Sequence, residues 1–258
     1  MNTVLDTIRN RRSVRVYEPR AIPKETKDEI IGAALRAPTA GGLMLYSIVE
    51  VTDQKAKDTL AVSCDNQPFI ARAPWVLLFV ADYQRWYDYF NLCGVGKRCK
   101  REHTVLRKPD EGHLFLACCD AVIAAQTAVI AAESLGIGSC YIGDIMEKYE
   151  VHQKLFDLPR HVFPICLLCL GYPTKEQRER ALAHRFQREF VVFENRYRRL
   201  DAGEFEEMFR NFHEGFHLIA SEDRAANLGQ FYYDNFFNAN FTEKMVKSVR
   251  KILKGWKG

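Results

Sequence analysis

Three arginines stand close together in the stretch NRRSVRVYEP, at positions 10–19. Arg11, Arg12 and Arg15 surround Ser13, on a chain whose 37 basic residues outnumber its 33 acidic ones by only four. A guanidinium is planar, permanently charged and donates several hydrogen bonds, which suits a phosphate dianion or an electron-rich ring. The cluster therefore predicts a binding site for such a group, with a solvated helix end as the alternative.

Eight cysteines are the other candidates for chemistry, but their spacing does not fit a metal site. Cys166 and Cys169 form a C-x-x-C inside an apolar run typical of a buried strand, whereas zinc and redox pairs normally lie in tight turns or at helix starts. Cys93 and Cys99 match no common ligand spacing. We interpret the thiols as buried or incidental, and we predict no metal.

Two common nucleotide-binding motifs do not match this sequence. The GVGK segment at 94–97 has Asn91 and Arg98 where a phosphate-binding loop needs a glycine and a serine or threonine. No G-x-G-x-x-G follows a predicted strand, so a Rossmann-type dinucleotide fold is not supported.

The apolar pattern predicts the elements that position these residues. Strands are expected at 47–52, 75–81, 140–143 and 162–172. Helices are expected at 3–10, at 24–37 behind Pro23, at 113–135, from about Glu204, and around Met245 to Leu253. Phenylalanines at helical spacing from Phe205 indicate packing, with a substrate box as the alternative.

The helix expected at 113–135 is apolar on almost every side. Asp120, Gln126 and Glu133 interrupt it, and each would be costly at membrane depth. A helix of this kind must be covered on all faces, so it lies either in the centre of the core or at a subunit interface.

Composition limits the remaining possibilities. The 258 residues show no repeat or linker, and we expect one domain over 1–258 with an excursion or lid at 84–112. Near charge balance argues against a surface devoted to nucleic acid, so we predict no nucleic-acid partner. The first residues are polar and lack the apolar core of a signal peptide, and we expect a cytoplasmic protein without a membrane partner.

Six stretches resemble the nitroreductase and flavin reductase family in sequence, order and spacing, most closely its larger NADPH-preferring, oxygen-insensitive nitroreductases. They are RRSVR (11–15), ALRAPTAGG (34–42), DNQPFIARAPWVLLFVAD (65–82), AAESLGIGSCYIGDI (131–145), LCLGYP (168–173) and RFQREFVVFENRYRRLD (185–201). The resemblance implies an α+β, nitroreductase-like fold whose central mixed, mainly antiparallel sheet is flanked by helices. It further implies an intertwined homodimer with one FMN at each subunit interface, where the 113–135 helix lies and the extension 204–258 packs.

The resemblance also implies which residues contact FMN. Arg11 and Arg185 would meet the phosphate, Arg15 would meet the pyrimidine edge of the ring, and Arg12 and Ser13 would complete the first cofactor loop. The other contacts implied are Pro38, Thr39, Ala40, Gly41, Gln67, Tyr141, Ile142 and Gly143.

The chain departs from the family pattern at several of these places. Gly42 stands where many members have Asn, and Met44 and Leu45 stand where they have Gln-Pro. Ala183 replaces a second basic residue near Arg185, so one usual phosphate contact is absent.

The implied reaction is ping-pong hydride transfer from NAD(P)H to flavin N5 and then to a nitroaromatic, a quinone or a flavin. No protein residue is assigned as acid, base or nucleophile, because the cofactor carries the chemistry. The alternatives are another reaction of the same family, such as reductive dehalogenation, or a non-enzymatic flavin-binding protein. The basic segment 97–108 either attracts the extra phosphate of NADPH or is a solvated lid.

Overall fold

A computed structural model describes residues 3–219, 227–238 and 240–257 of the chain. The chain divides into two compact units, Met1–Arg180 with Lys244–Gly258 and Ala181–Glu243. The description of 1–258 as one domain, with a C-terminal extension from 204, stays a prediction. Residues 220–226, 239 and 258 of that extension lie outside the described residues.

The first unit contains a four-stranded sheet in the order β1-β2-β4-β3. Its strands are β1 (Tyr46–Glu50), β2 (Trp75–Asp82), β3 (Gly138–Ile142) and β4 (Val162–Gly171). All three strand pairs are antiparallel, and a parallel bridge from Ser13 to Ser139 lies on β3. Every residue of β2 and β4 is buried, as their continuous apolar runs predict. The predicted α+β fold with a mixed, mainly antiparallel sheet is confirmed.

Helices surround this sheet and also form much of the second unit. They are α1 (Thr3–Asn10), α2 (Lys24–Leu35), α3 (Gln54–Ser63), α4 (Phe69–Arg72), α5 (Gln84–Leu92), α6 (Val95–Arg101), α7 (Glu111–Ser134), α8 (Tyr149–Leu155), α9 (Lys175–Glu179), α10 (Ala202–Ile219), α11 (Leu228–Tyr232) and α12 (Asn240–Lys257). The helices predicted at 3–10, behind Pro23, at 113–135, from Glu204 and near the last residues are all confirmed.

Helix α7 is the central helix of the first unit, where it contacts α2 and all four strands. Its buried face consists largely of alanines, among them Ala121, Ala125 and Ala128, which let the helix approach the sheet closely. Among the helices described, α7 is the one long and apolar enough to cross a membrane. Its outer side carries exposed apolar side chains, including Phe115 and Leu116.

The segment predicted as an excursion, 84–112, contains α5 and α6 and is anchored through α5. Trp86 Nε1 donates a hydrogen bond to the Leu43 carbonyl at 2.7 Å. The Arg85 guanidinium bonds the Tyr46 carbonyl at 3.2 Å and also the Ser47 hydroxyl. These contacts fix the beginning of the excursion to the chain that enters β1.

In the second unit, the predicted phenylalanine stripe belongs to an aromatic cluster. The ring centroid of Phe186 lies 5.2 Å from that of Phe209 and 5.1 Å from that of Phe212. Together with α11 these rings line an apolar cavity of about 750 Å³. Phe209 and Phe212 thus pack against Phe186, and because the same rings line a cavity the substrate box stays the alternative.

Candidate functional site

The arginine cluster follows α1 and runs beside β3. The Val14 amide donates to the Ser139 carbonyl at 2.8 Å, next to the parallel bridge from Ser13. The Tyr17 hydroxyl lies 2.8 Å from the Val14 carbonyl and 3.2 Å from the Cys169 carbonyl in β4. These contacts hold Arg11, Arg12 and Arg15 at one edge of the sheet.

Two glycines make this close approach possible. A Cβ atom at Gly138 would lie 2.5 Å from Val14 Cγ2, and one at Gly171 would lie 2.6 Å from the Tyr17 ring. Any other residue would force the arginine segment away from β3 and β4. The contact between Gly138 and Val14 is not visible in a local sequence pattern.

Arg11 and Arg12 present buried donors without an acceptor. Within the described residues, Nε of each guanidinium is buried and has no hydrogen-bond partner. A buried N–H group without an acceptor costs about 1–3 kcal/mol, so this arrangement fits an anion that supplies the missing acceptors. Burial raises the pKa of the nearby Glu133 carboxyl, and both arginines act against that shift.

Arg15 lies further along the same edge. Its guanidinium carbon is 5.9 Å from the centroid of the Phe69 ring, and its backbone amide donates to Gln177 Oε1 at 3.1 Å. Phe69 begins α4, two residues after Gln67, so the arginine segment and the Gln67 turn are neighbours.

Gln67 is joined to the turn that follows β3. Its Nε2 donates to Asp144 Oδ2 at 2.8 Å and to the Cys64 carbonyl at 3.0 Å. Asp144 comes directly after Gly143, which is exposed, and Ile142, which is buried. Tyr141 is half-buried, and its hydroxyl donates to Gln126 of α7 at 3.3 Å.

The structure therefore brings most of the predicted contacts to one place around β3. These are Arg11, Arg12, Ser13, Arg15, Gln67, Tyr141, Ile142 and Gly143. An exposed glycine, a half-buried pair of arginines with buried Nε atoms and a fixed amide suit a ligand with a phosphate at one end and polar groups at the other.

The loop at 38–41 is held from a different side, by Asp120 of α7. The Thr39 hydroxyl donates to Asp120, which also accepts the amides of Ala40 at 3.3 Å and Leu45 at 3.0 Å. Gly41, which follows Ala40, has a φ of 58°, in the left-handed region that favours glycine. Pro38 precedes this turn and lies next to the end of α2.

Asp120 was not a predicted site residue, although it organises this loop. It is almost completely buried and accepts three hydrogen bonds. The sequence contained one indication, a carboxylate in an otherwise apolar helix, because a buried charge requires several partners.

A buried histidine behind the Gln67 turn was also missed. His152 Nδ1 lies 2.6 Å from the Ile145 carbonyl, which can only accept, so Nδ1 carries the proton. Nε2 then accepts from the Ser63 hydroxyl at 2.7 Å. Burial lowers the pKa of His152 to about 4. This pair ties the Asp144–Met146 turn to the end of α3.

Arg185 belongs to the second unit and is exposed. Its guanidinium donates to the carbonyls of Ala183 at 3.2 Å and His184 at 2.8 Å. Its contact with a phosphate stays a prediction.

In the described residues, the α+β fold brings guanidinium donors without an acceptor to the edge of the sheet at β3. The sequence model of the nitroreductase family matches residues 8–172, and this chain belongs to that family. The family predicted from the sequence is confirmed.

Named relatives and a solved structure agree with this assignment. The FMN reductase (NADPH) of Bacillus subtilis (strain 168) is 30% identical over 197 residues, which cover 76% of this chain and 75% of the relative. The oxygen-insensitive NADPH nitroreductase of Salmonella typhimurium is 30% identical over 201 residues, covering 78% and 77%. The structure of B. megaterium NfrA2 superposes with a TM-score of 0.80 at 26% identity, covering 100% of this chain and 99% of that one.

Proposed function

We propose that this protein is an FMN-dependent NAD(P)H oxidoreductase that reduces nitroaromatics, quinones or flavins by ping-pong hydride transfer. The observation that carries the proposal is the pair of buried guanidinium donors, Arg11 Nε and Arg12 Nε, which lack an acceptor within the described residues. The phosphate of FMN is the acceptor that this pair fits. The names of the relatives, an FMN reductase and an NADPH nitroreductase, support the same reading.

Different residues around β3 bind different parts of FMN. Arg11 and Arg12 hold the phosphate, with Arg185 as a further contact, and Ser13 completes the loop. Arg15 lies toward Phe69 and Gln67, where a fixed cation favours negative charge on the pyrimidine edge. When bound, FMN supplies the hydride chemistry at N5.

Close backbone approach explains the other predicted contacts. Gly143 is exposed and has open space where a side chain would be, so a flat ring can pass close to the chain there. Tyr141 and Ile142 lead into this position from β3. Pro38, Thr39, Ala40 and Gly41 form the second cofactor loop, whose shape Asp120 holds.

We further propose that the protein is a homodimer. Phe115 of α7 is 71% exposed, and Leu116, Val122 and Ile123 are also exposed on that helix. A contiguous apolar helix face on a protein surface usually marks an interface. In the dimer part of the extension 204–258 packs at the subunit interface, and 84–112 serves as a lid.

We place the protein in the cytoplasm, with NAD(P)H and a small electron-poor acceptor as its partners. Neither nucleic acid nor a membrane is assigned as a partner. The near balance of acidic and basic residues supports this assignment.

Anaerobic absorption spectroscopy tests the proposed function. Protein incubated with excess FMN and then desalted should keep flavin absorption, which NADPH should bleach and a quinone or nitroaromatic should restore. Protein that stays colourless contradicts the proposal. Flavin that is retained but not bleached identifies a non-enzymatic flavin-binding protein, and turnover with halogenated acceptors alone identifies a dehalogenase.

A further inference from the structure

The side-chain amide of Gln67 is oriented by two acceptors. Its Nε2 lies 2.8 Å from Asp144 Oδ2 and 3.0 Å from the Cys64 carbonyl. A carboxylate and a backbone carbonyl can only accept, so both N–H groups of Nε2 are directed at them. The amide oxygen Oε1 is then the polar atom of this side chain that is left for a ligand, and it can only accept.

From this geometry we infer that Asp144 is a positioning residue that makes Gln67 an acceptor-only contact for the ring N3–H of FMN. The inference rests on the proposed function and extends it to a residue that was not among the predicted contacts. In this role Asp144 acts through Gln67.

Both partners of this pair lie on well-held segments. Asp65 and Asn66, which precede Gln67, have φ values of 56° and 52°, and these residue types tolerate the left-handed region. The backbone amide of Gln67 donates a hydrogen bond to the Ala61 carbonyl at 2.7 Å, and this bond closes the turn. A side chain on such a turn keeps its position when a ligand arrives.

The turn that carries Asp144 is fixed as well. His152 donates to the Ile145 carbonyl at 2.6 Å and is itself bonded to Ser63 in α3. The Met146 amide donates to the Gly143 carbonyl at 3.1 Å. Asp144 and Gln67 are therefore held in place from both sides of their hydrogen bond.

The polarity of the pair matches the pyrimidine edge of a flavin. That edge presents carbonyl oxygens and N1 as acceptors and N3–H as its donor. Arg15, whose guanidinium lies 5.9 Å from the Phe69 ring, can only donate, and Gln67 as oriented can only accept. A freely rotating Gln67 would present its NH2 group to N3–H as readily as its oxygen, so the Asp144 contact selects the productive orientation.

A double-mutant cycle on FMN binding by the apoprotein tests the inference. Asp144→Leu and Gln67→Leu should each weaken FMN binding about 10-fold, the effect of losing one oriented hydrogen bond. The double variant should also lose about 10-fold rather than about 100-fold, because Asp144 acts only through Gln67. Additive losses would overturn the inference.

Two isosteric variants provide a rescue experiment with little change in packing. Asp144→Asn keeps an oxygen that can accept from Gln67 and should bind FMN within about 2-fold of the wild type. Gln67→Glu places two carboxylates side by side and should bind about 10-fold more weakly. Adding Asp144→Asn to Gln67→Glu restores a donor between the side chains and should recover most of that loss. An Asp144→Asn loss as large as that of Asp144→Leu would contradict the role.

The flavin analogue 3-methyl-FMN identifies the donor. The ratio of the affinity for FMN to the affinity for 3-methyl-FMN should be about 10-fold larger in the wild type than in Asp144→Leu. The reason is that only an oriented Gln67 accepts a hydrogen bond from N3–H. An equal preference in both proteins would overturn the assignment to N3–H. Apoprotein melting temperatures show that each variant is folded. A wild-type protein that binds no FMN would overturn the proposed function itself, whereas additive losses would overturn only this inference.

Discussion

Among the residues described, Arg11 and Arg12 each have a guanidinium N–H group without an acceptor, unlike two arginines that lie near them. Arg178 pairs with Glu18, and Arg180 donates to the Ser13 carbonyl. Within the described part of the chain, the buried Nε atoms of Arg11 and Arg12 have no such partner. Keeping two desolvated donors unsatisfied destabilises the protein without ligand, and an anion removes that cost when it binds. Binding strength at this edge therefore comes from donors that are already in place.

His152 predicts a pH dependence of folding stability. Burial lowers its pKa from 6.5 to about 4, so between these values the unfolded chain binds more protons than the folded one. Stability contributed by neutral His152 is complete above pH 6.5 and is lost as the pH falls toward 4, by about 3 kcal/mol in total.

Urea unfolding at pH 7.5 and pH 4.5 measures this effect. The wild type should lose more free energy of unfolding between the two pH values than His152→Gln does, because the variant has no group to protonate there. Equal losses of unfolding free energy in both proteins would show that the pKa of His152 does not differ between the folded and the unfolded protein.

At the scale of single elements, most of the sheet could be predicted from the sequence. The runs that became β2 and β4 are apolar throughout, and burial on both faces is what such runs require. Helix α7 was predicted two residues late, because its first turn is polar and is capped by Asp110 and His113. Helices α5 and α6 were not predicted, since cationic and aromatic residues hide their short apolar faces.

The contacts between elements could not be predicted in the same way. Gly138 is needed because Val14 lies against it, more than 100 positions away in the chain. Asp120 is needed because three donors from 39–45 converge on it. Neither of these two contacts produces a periodic sequence pattern, and a single sequence does not show which distant residues are in contact.

Gly138 offers a test of how the arginine segment is seated on β3. Gly138→Ala would place a Cβ 2.5 Å from Val14 Cγ2, and we expect a destabilisation of about 1–3 kcal/mol together with weaker FMN binding. Urea unfolding and FMN titration of the apoprotein measure the two effects.

Gly32→Ala is the matched control for that substitution. No atom lies within 4 Å of a Cβ at Gly32, which is in helix α2, so alanine should stabilise by about 0.5–1 kcal/mol and leave FMN binding unchanged. Adding Val14→Ala to Gly138→Ala should recover part of the loss. If Gly138→Ala behaves like Gly32→Ala, the arginine segment does not depend on this close approach.

Asp120 tests the second cofactor loop. Asp120→Ala leaves the Thr39 hydroxyl and the amides of Ala40 and Leu45 without their acceptor, and we expect a loss of about 2–4 kcal/mol of unfolding free energy. Gln126→Ala, also on α7, removes only the exposed 3.3 Å hydrogen bond from the Tyr141 hydroxyl and should cost about 0.5–1 kcal/mol. Similar values for the two variants, measured by urea unfolding, would show that the loop does not rely on Asp120.

At the scale of the whole molecule, α7 has two faces with different roles. Its alanine face packs on the sheet, and its outer face exposes Phe115, Leu116 and Val122. A soluble monomer rarely keeps such a face in water, which is why we propose a homodimer. The same helix carries Asp120, so the proposed interface and the proposed second cofactor loop share one element.

Sedimentation velocity tests the dimer. Phe115→Glu places a charge on the exposed face of α7 and should shift the protein from dimer toward monomer, because a buried unpaired carboxylate is costly. Val62→Glu is the control, since Val62 is 62% exposed on α3 rather than on α7. A wild type that sediments as a monomer, or two variants with the same behaviour, would contradict the proposed interface.

If the guanidiniums beside β3 bind the phosphate of FMN, the apoprotein must distinguish FMN from riboflavin, and its affinities for the two flavins measure this. Riboflavin has the same ring and ribityl chain without the phosphate. Two charge-assisted contacts predict that FMN binds at least about 100-fold more tightly. Arg11→Gln should remove about 10-fold or more of that preference, while Arg9→Gln, two residues earlier and exposed, should retain it. Equal affinity of the wild-type protein for FMN and riboflavin would show that these guanidiniums do not bind the phosphate.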